Sequence, residues 1–187
     1  MATKKIAVVV GSTRKGSYSK AVAKYVASIA PADLSFEFVE IGALPLFNQD
    51  YDDEGRTPAE WLAFRKTIKA ADGYLFVTPE HNRSIPAALK NALDVASRPY
   101  GQNAWDGKPG AIISVSPGNI SGFGANHHLR QILVFLNVLA MAQPEAYIGG
   151  ITKDLNEKGE LVNEGLQGFL KKFAESFDAW VNKIDSK

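Results

Sequence analysis

The opening strand–loop–helix stretch constrains the fold more than any other part of the chain. Ile6 to Val10 is an unbroken apolar run of strand length. Such a run marks a parallel strand buried on both faces, not one with a wet side. Gly11 closes it, and Val22, Tyr25, Val26 and Ile29 then recur at i, i+3, i+4 and i+7, the stripe of an amphipathic helix. Between strand and helix lies the sequence GSTRKGSYS, where the hydroxyls of Ser12, Thr13, Ser17 and Ser19 crowd around the guanidinium of Arg14 and a second glycine, Gly16. N–H groups and the positive dipole end at a helix start favour an anion. The loop is not a Walker A loop, because Ser17 stands where that motif needs Lys, and not GxGxxG, because residue 13 is Thr. The stretch therefore predicts a phosphate cradle of another kind. The plainer alternative is that Ser17 or Ser19 only caps the helix.

Composition sets the outer bounds. The 187 residues suit one domain, 1–187, with 45% hydrophobic and 22% charged residues. A net charge of +1 argues against a nucleic-acid or acidic-membrane partner. The lack of cysteine excludes disulfides, Fe–S ligation and thiol catalysis, and fits a reducing compartment. The N-terminus leads straight into the first strand, and no apolar stretch approaches signal-peptide or membrane-span length. A cytoplasmic protein is expected.

The rest of the chain keeps alternating. Leu34–Ile41 has strand alternation. Thr57, Pro58 and Glu60 predict a capping box, with Trp61, Phe64 and Ile68 as the buried stripe of the helix that follows. Gly73–Thr78 reads as a buried strand, and Ser84 as the cap of a helix running to about Ser97. Ala111–Val115 is another strand, Gly124–Met141 a helix, and Ala146–Ile148 a fifth strand. Leu166, Phe169, Leu170, Phe173, Phe177, Trp180, Val181 and Ile184 give a last helix whose stripe is core. The polar segment Pro45–Arg56 reads as a surface loop near the site.

This alternation predicts an α/β fold: a flavodoxin-like, doubly wound, five-stranded parallel sheet of order 2-1-3-4-5, with helices on both faces. In such sheets ligands bind beyond the carboxyl ends of the strands, at the switch point between strands one and three. Loop one is the hydroxyl-rich cradle. Loop two is Pro79-Glu80-His81-Asn82-Arg83-Ser84-Ile85-Pro86, suited to a flat heterocycle. Loop three, Pro117 to Gly124, has glycines that let backbone approach closely. All three meet at one edge.

These motifs together resemble the NAD(P)H-dependent FMN reductase family, in its chromate, quinone and azo-compound reductase branch. The pattern GSxRxxSxN is matched by Gly11, Ser12, Arg14 and Ser17, with Ser19 in place of Asn. The pattern PEYNxSxPxxLKNAxD is matched by Pro79, Glu80, Asn82, Ser84, Pro86, Leu89, Lys90, Asn91, Ala92 and Asp94, with His81 in place of Tyr. The third element is matched by Ser116, Gly118, Gly122 and His128–Leu133, with Ser121 for one glycine. The resemblance spans about residues 4–180.

It implies one non-covalent FMN, rather than FAD, with NAD(P)H as co-substrate. By carry-over Ser12, Arg14, Ser17, Ser19 and the backbone of Tyr18 hold the phosphate. Pro79, Glu80, His81, Asn82 and Ser84 line the isoalloxazine, and Ser116, Gly118 and Gly122 close its other side. No side chain is expected to act as a catalytic acid or base, because the flavin carries the chemistry. Phe47, Tyr51 and Arg83 are expected as a mobile acceptor rim, with quinones, chromate, ferric complexes, azo compounds and free flavin as acceptors in ping-pong order. A helix that is apolar nearly all round, Leu129–Met141, predicts a homodimer or homotetramer. In close relatives an Arg and a Tyr join a Glu at the subunit interface; here Gly124 and His127 stand in those places, with Glu145 retained. Adjacent His127 and His128 diverge on a helix, so no metal is expected. A flavodoxin-type electron carrier, or a non-enzymatic scaffold, shares the fold. Such carriers are typically strongly acidic, which this chain is not.

Overall fold

The computed structural model describes residues 3–185. Its centre is the parallel sheet that the apolar runs predict. β1 (Lys4–Val10) pairs on one side with β2 (Leu34–Val39) and on the other with β3 (Gly73–Thr78), and β4 (Pro109–Val115) pairs with β3. Every residue of β3 and β4 is buried, as a strand covered on both faces requires. Successive side chains go to opposite faces. Ala7, Val9, Tyr74, Phe76 and Ile112 join one core with α3 (Ala59–Ala70), α4 (Ala87–Ala96) and α5 (Phe123–Phe135). Ile6, Val8, Leu75, Val77, Ile113 and Val115 join the other, with α1 (Tyr18–Ser28) and α6 (Glu164–Asp185).

The sheet order β2-β1-β3-β4-β5 is the expected one, but its fifth position is divided. β5 (Leu139–Ala140) pairs with Pro109 and Gly110 at the start of β4, and β6 (Ala146–Ile148) pairs with Ile113–Val115 at its end. The helix expected to run to Met141 therefore stops at Phe135. Asn137 turns left-handed, at φ 55°, and two bonds close the end: Val138 N–H to Leu133 O at 3.0 Å and Asn137 N–H to Val134 O at 3.2 Å. That is a Schellman motif with Asn in the usual glycine position.

Two expected caps also fail. The Thr57 hydroxyl donates to Asp52 Oδ1 at 2.8 Å, so α3 begins at Ala59 without a side-chain cap. The Ser84 hydroxyl lies 2.7 Å from His128 Nδ1, and α4 begins at Ala87 behind Pro86. The Thr57 partner lies just upstream in the α2 segment, whereas the Ser84 partner is remote in sequence. Strand two is two residues shorter than expected, with Ile41 buried as it leaves the sheet. The segment Pro45–Arg56 carries a short helix, α2 (Asp50–Asp53). Among the described residues, no helix is long and apolar enough to cross a membrane.

Candidate functional site

Loop one leaves β1 at the switch point. Gly11 donates to Val77 O at 2.9 Å, tying the strand end to β3. A Cβ on Gly11 would stand 3.0 Å from Thr78 Oγ1 and 3.3 Å from Leu89 and Pro79 side chains, so the close approach of the strand ends depends on glycine. Beyond it, no backbone N–H from Ser12 to Ser19 finds an acceptor among the described residues. The guanidinium of Arg14 stays exposed over the Tyr18 ring, with one bond to Gly16 O at 2.8 Å. Ser17 caps α1, its Oγ accepting from Lys20 N at 3.1 Å. A hydroxyl that accepts one bond still has its own proton to donate, so capping and anion binding are compatible here. Ser19 is 1% exposed.

Loop two is built differently. His81 and Ser84 exchange two backbone bonds of 2.9 Å, closing a two-residue hairpin turn. Asn82 and Arg83 both sit left-handed, at φ 50° and 67°, as a type I′ turn demands. The side chain of Glu80 turns away from the open edge. Its Oε2 accepts from Ala125 N at 3.0 Å in the first turn of α5, and its Oε1 faces Arg83 at 3.3 Å. His81, Asn82 and Arg83 are exposed, while Pro79 is half-buried. Loop three folds on itself: Gly118 N–H donates to Ser116 Oγ at 3.0 Å, and Ser114 Oγ to Ser121 O at 2.8 Å. The N–H groups of Asn119 and Ile120 have no acceptor among the described residues. Gly122, left-handed at φ 70°, leads into α5.

Phe47 and Tyr51, two of the expected rim residues, pack against α3. Phe47 stacks on the buried Trp61 at 5.4 Å, and Tyr51 meets the same ring edge-on at 5.6 Å. Asn91 holds the segment from α4, accepting from Phe47 N at 2.8 Å and donating to Leu44 O and Pro45 O. Arg65 forks onto Asp52 with bonds of 2.7 and 2.6 Å, which holds the Asp52 carboxyl below its usual range. Sequence reasoning gave neither Asn91 nor Asp52 a role. The signal available for Asn91 is its place in the matched LKNAxD pattern.

His127 also finds a partner that the sequence reading did not name. Its Nε2 lies 2.9 Å from the Tyr147 hydroxyl, which donates to Glu145 Oε1 at 2.7 Å. Burial, and then the Glu145 bond, push the Tyr147 phenol up to about 12. The apolar surplus of α5 is smaller than the sequence suggests. Leu136, Val138 and Met141 bury within the chain, leaving Val134 and Phe135 exposed at 78% and 80%.

A model of the NADPH-dependent FMN reductase family matches residues 4–153. A quinone reductase of Pseudomonas putida is 54% identical over 176 residues, 94% of each chain. A 2-hydroxy-1,4-benzoquinone reductase of a Burkholderia species is 50% identical over 177 residues, 95% of this chain and 96% of its own. Among solved structures, FerB, a flavoenzyme NAD(P)H:(acceptor) oxidoreductase from Paracoccus denitrificans, superposes with a TM-score of 0.90 at 38% identity. That match covers 97% of this chain and 98% of the other.

Proposed function

Because the chain belongs to the NADPH-dependent FMN reductase family, we propose that it oxidises NAD(P)H with a non-covalent FMN and delivers the electrons to quinones. The observation that carries this reading is loop one, where a run of N–H groups from Ser12 to Ser19 without acceptors surrounds an exposed Arg14. That donor set fits a terminal phosphate dianion. The relatives named quinone reductases support the acceptor class.

When bound, FMN supplies the redox chemistry, taking a hydride from the nicotinamide and passing it on. The chain holds and exposes it. Ser12, Arg14, Ser17, Ser19 and the Tyr18 N–H bind the phosphate. Pro79, His81, Asn82 and Ser84 line the ring, and Ser116, Gly118 and Gly122 close its remaining edge. The N–H groups of Asn119 and Ile120 offer donors to negative charge at the ring edge. Loops two and three cover one side of the ring position, so donor and acceptor share the other in turn, in ping-pong order. Phe47, Tyr51 and Arg83 form the rim. Ring stacking without a buried polar reader gives a broad acceptor range: quinones first, then chromate, ferric complexes, azo compounds and free flavin. A cytoplasmic homodimer or homotetramer completes the proposal, with the exposed Val134 and Phe135 at the subunit contact.

The test is a spectrum of the purified protein before and after anaerobic NADPH, with FMN and riboflavin titrated into apoprotein. Bleaching of a bound flavin, and tighter binding of FMN than of riboflavin, are expected. Equal affinity for the two flavins would overturn the phosphate cradle. Intersecting double-reciprocal lines, with dinucleotide and quinone varied together, would overturn the shared face.

A further inference from the structure

Loop two approaches α5 at three points. Glu80 Oε2 accepts from Ala125 N at 3.0 Å. The Ser84 hydroxyl meets His128 Nδ1, one helical turn further along, at 2.7 Å. Just before them Gly124 faces the turn directly: a Cβ there would lie 2.9 Å from Arg83 O and 3.0 Å from Glu80 Oε2. The turn itself is held in two left-handed residues, Asn82 and Arg83, neither of them glycine. Left-handed backbone costs about 1–2 kcal/mol per ordinary residue, and such strain persists only where the surroundings over-determine it.

We infer that Glu80 and Gly124 are positioning residues: the first turn of α5 docks the His81–Ser84 turn and so sets where the flavin ring lies. Both carboxylate oxygens of Glu80 are engaged within the chain, and its side chain is only 12% exposed. The carboxylate therefore acts on the ring through the backbone of loop two, not by touching it. Its negative charge also faces the positive end of α5, which strengthens the bond to Ala125 N. Gly124 contributes by having no side chain. This inference rests on the flavin reading above and adds to it the element that orients the ring.

The variants Glu80→Ala, Glu80→Gln and Gly124→Ala separate the possibilities. Amide exchange in apoprotein reports the docking without any flavin: Ala125, His81 and Ser84 should exchange faster in Glu80→Ala and Gly124→Ala. Titration of apoprotein then reports the ring. Glu80→Ala and Gly124→Ala should weaken FMN and riboflavin by the same factor, about tenfold for a lost charge-assisted bond. Glu80→Gln keeps an oxygen acceptor and should stay within about threefold of the wild type. An equal factor for both flavins marks the ring rather than the phosphate, and an unchanged thermal midpoint of the apoprotein separates it from a general loss of stability, which would also weaken both flavins alike. Unchanged riboflavin affinity in Glu80→Ala and Gly124→Ala would overturn the inference, as would Glu80→Gln as damaging as Glu80→Ala. Should Gly124→Ala not fold, the two Glu80 variants decide. If wild-type protein binds no flavin, the flavin reading falls, and the exchange comparison still tests whether α5 docks the turn.

Discussion

Loops one and two flank the same strand ends yet spend their hydrogen bonds in opposite ways. Loop one keeps its donors outward: from Ser12 to Ser19 no backbone N–H is taken up among the described residues. Loop two closes on itself through His81 and Ser84 and on α5 through Glu80. Buried backbone donors are almost always paired, so an unpaired run is tolerable only where solvent or an anion completes it. The difference separates two tasks. On the proposed reading, loop one receives a charged ligand group, whereas loop two is a closed surface against which a flat group is placed. Neither design substitutes for the other, because a phosphate needs donors and a stacked ring needs a fixed wall.

The largest expected effect breaks the loop-one side of this contrast. Arg14→Ala should weaken FMN by about 1–3 kcal/mol, the range of a charge-assisted bond. It should leave riboflavin affinity and the thermal midpoint of apoprotein unchanged, since Arg14 is exposed and bonds only to Gly16 O. Ser17→Ala should show both effects, because Ser17 Oγ also caps α1. A cap is worth about 1 kcal/mol of stability. Calorimetric titration with each flavin, beside thermal unfolding of the apoprotein, checks both variants.

A smaller effect concerns the rim. Asp52 is held by Arg65 and Thr57, and the Arg65 bond is the main cause of its lowered pKa. Its contribution is complete above the ordinary carboxyl value of 3.8 and is lost as pH falls through the depressed folded value. Asp52→Asn should therefore lower stability by about 1–2 kcal/mol at neutral pH and flatten the acid limb of the stability profile. Urea unfolding of both proteins across the acid range measures it. An unchanged acid limb would show that the Asp52–Arg65 pair does not fix the segment that carries Phe47 and Tyr51.

Much of this organisation was legible in the sequence, and the exceptions share a cause. The apolar runs at Ile6–Val10, Gly73–Thr78 and Ala111–Val115 mark the strands, since strands buried on both faces declare themselves by composition alone, and the strand–helix alternation points to their order. Loop one was equally legible, because its chemistry is local. Thr57 is no cap because Asp52, held in place by Arg65, takes its hydroxyl, and Ser84 is none because His128, distant in sequence, meets its own. The end of α5 was missed because Asn137 at a left-handed position is a weaker stop signal than glycine. Glu80 was read from its motif as a ring-lining residue. That its carboxylate reaches the start of α5 depends on how β3 and β4 pack side by side, which no local pattern encodes.

The smallest expected effect sharpens what loop two costs. Arg83 adopts φ 67° with a side chain that is 71% exposed, and its ion pair to Glu80 is long at 3.3 Å. An exposed pair of that kind contributes little, whereas glycine adopts the same backbone without a Cβ penalty. Against this, glycine gains more conformational freedom when the chain unfolds. The strain relief exceeds that loss, so Arg83→Gly should stabilise the protein by about 0.5–1 kcal/mol. Thermal unfolding of the apoprotein reads it, with Arg83→Ala as the control: alanine removes the same guanidinium but keeps the strained Cβ, and should give no gain. If glycine and alanine behave alike, the turn is not strained at Arg83. The contrast between the loops would then rest on hydrogen bonding alone. A gain confined to glycine would show that the finished surface of loop two is held at a measurable cost by its contacts with α5.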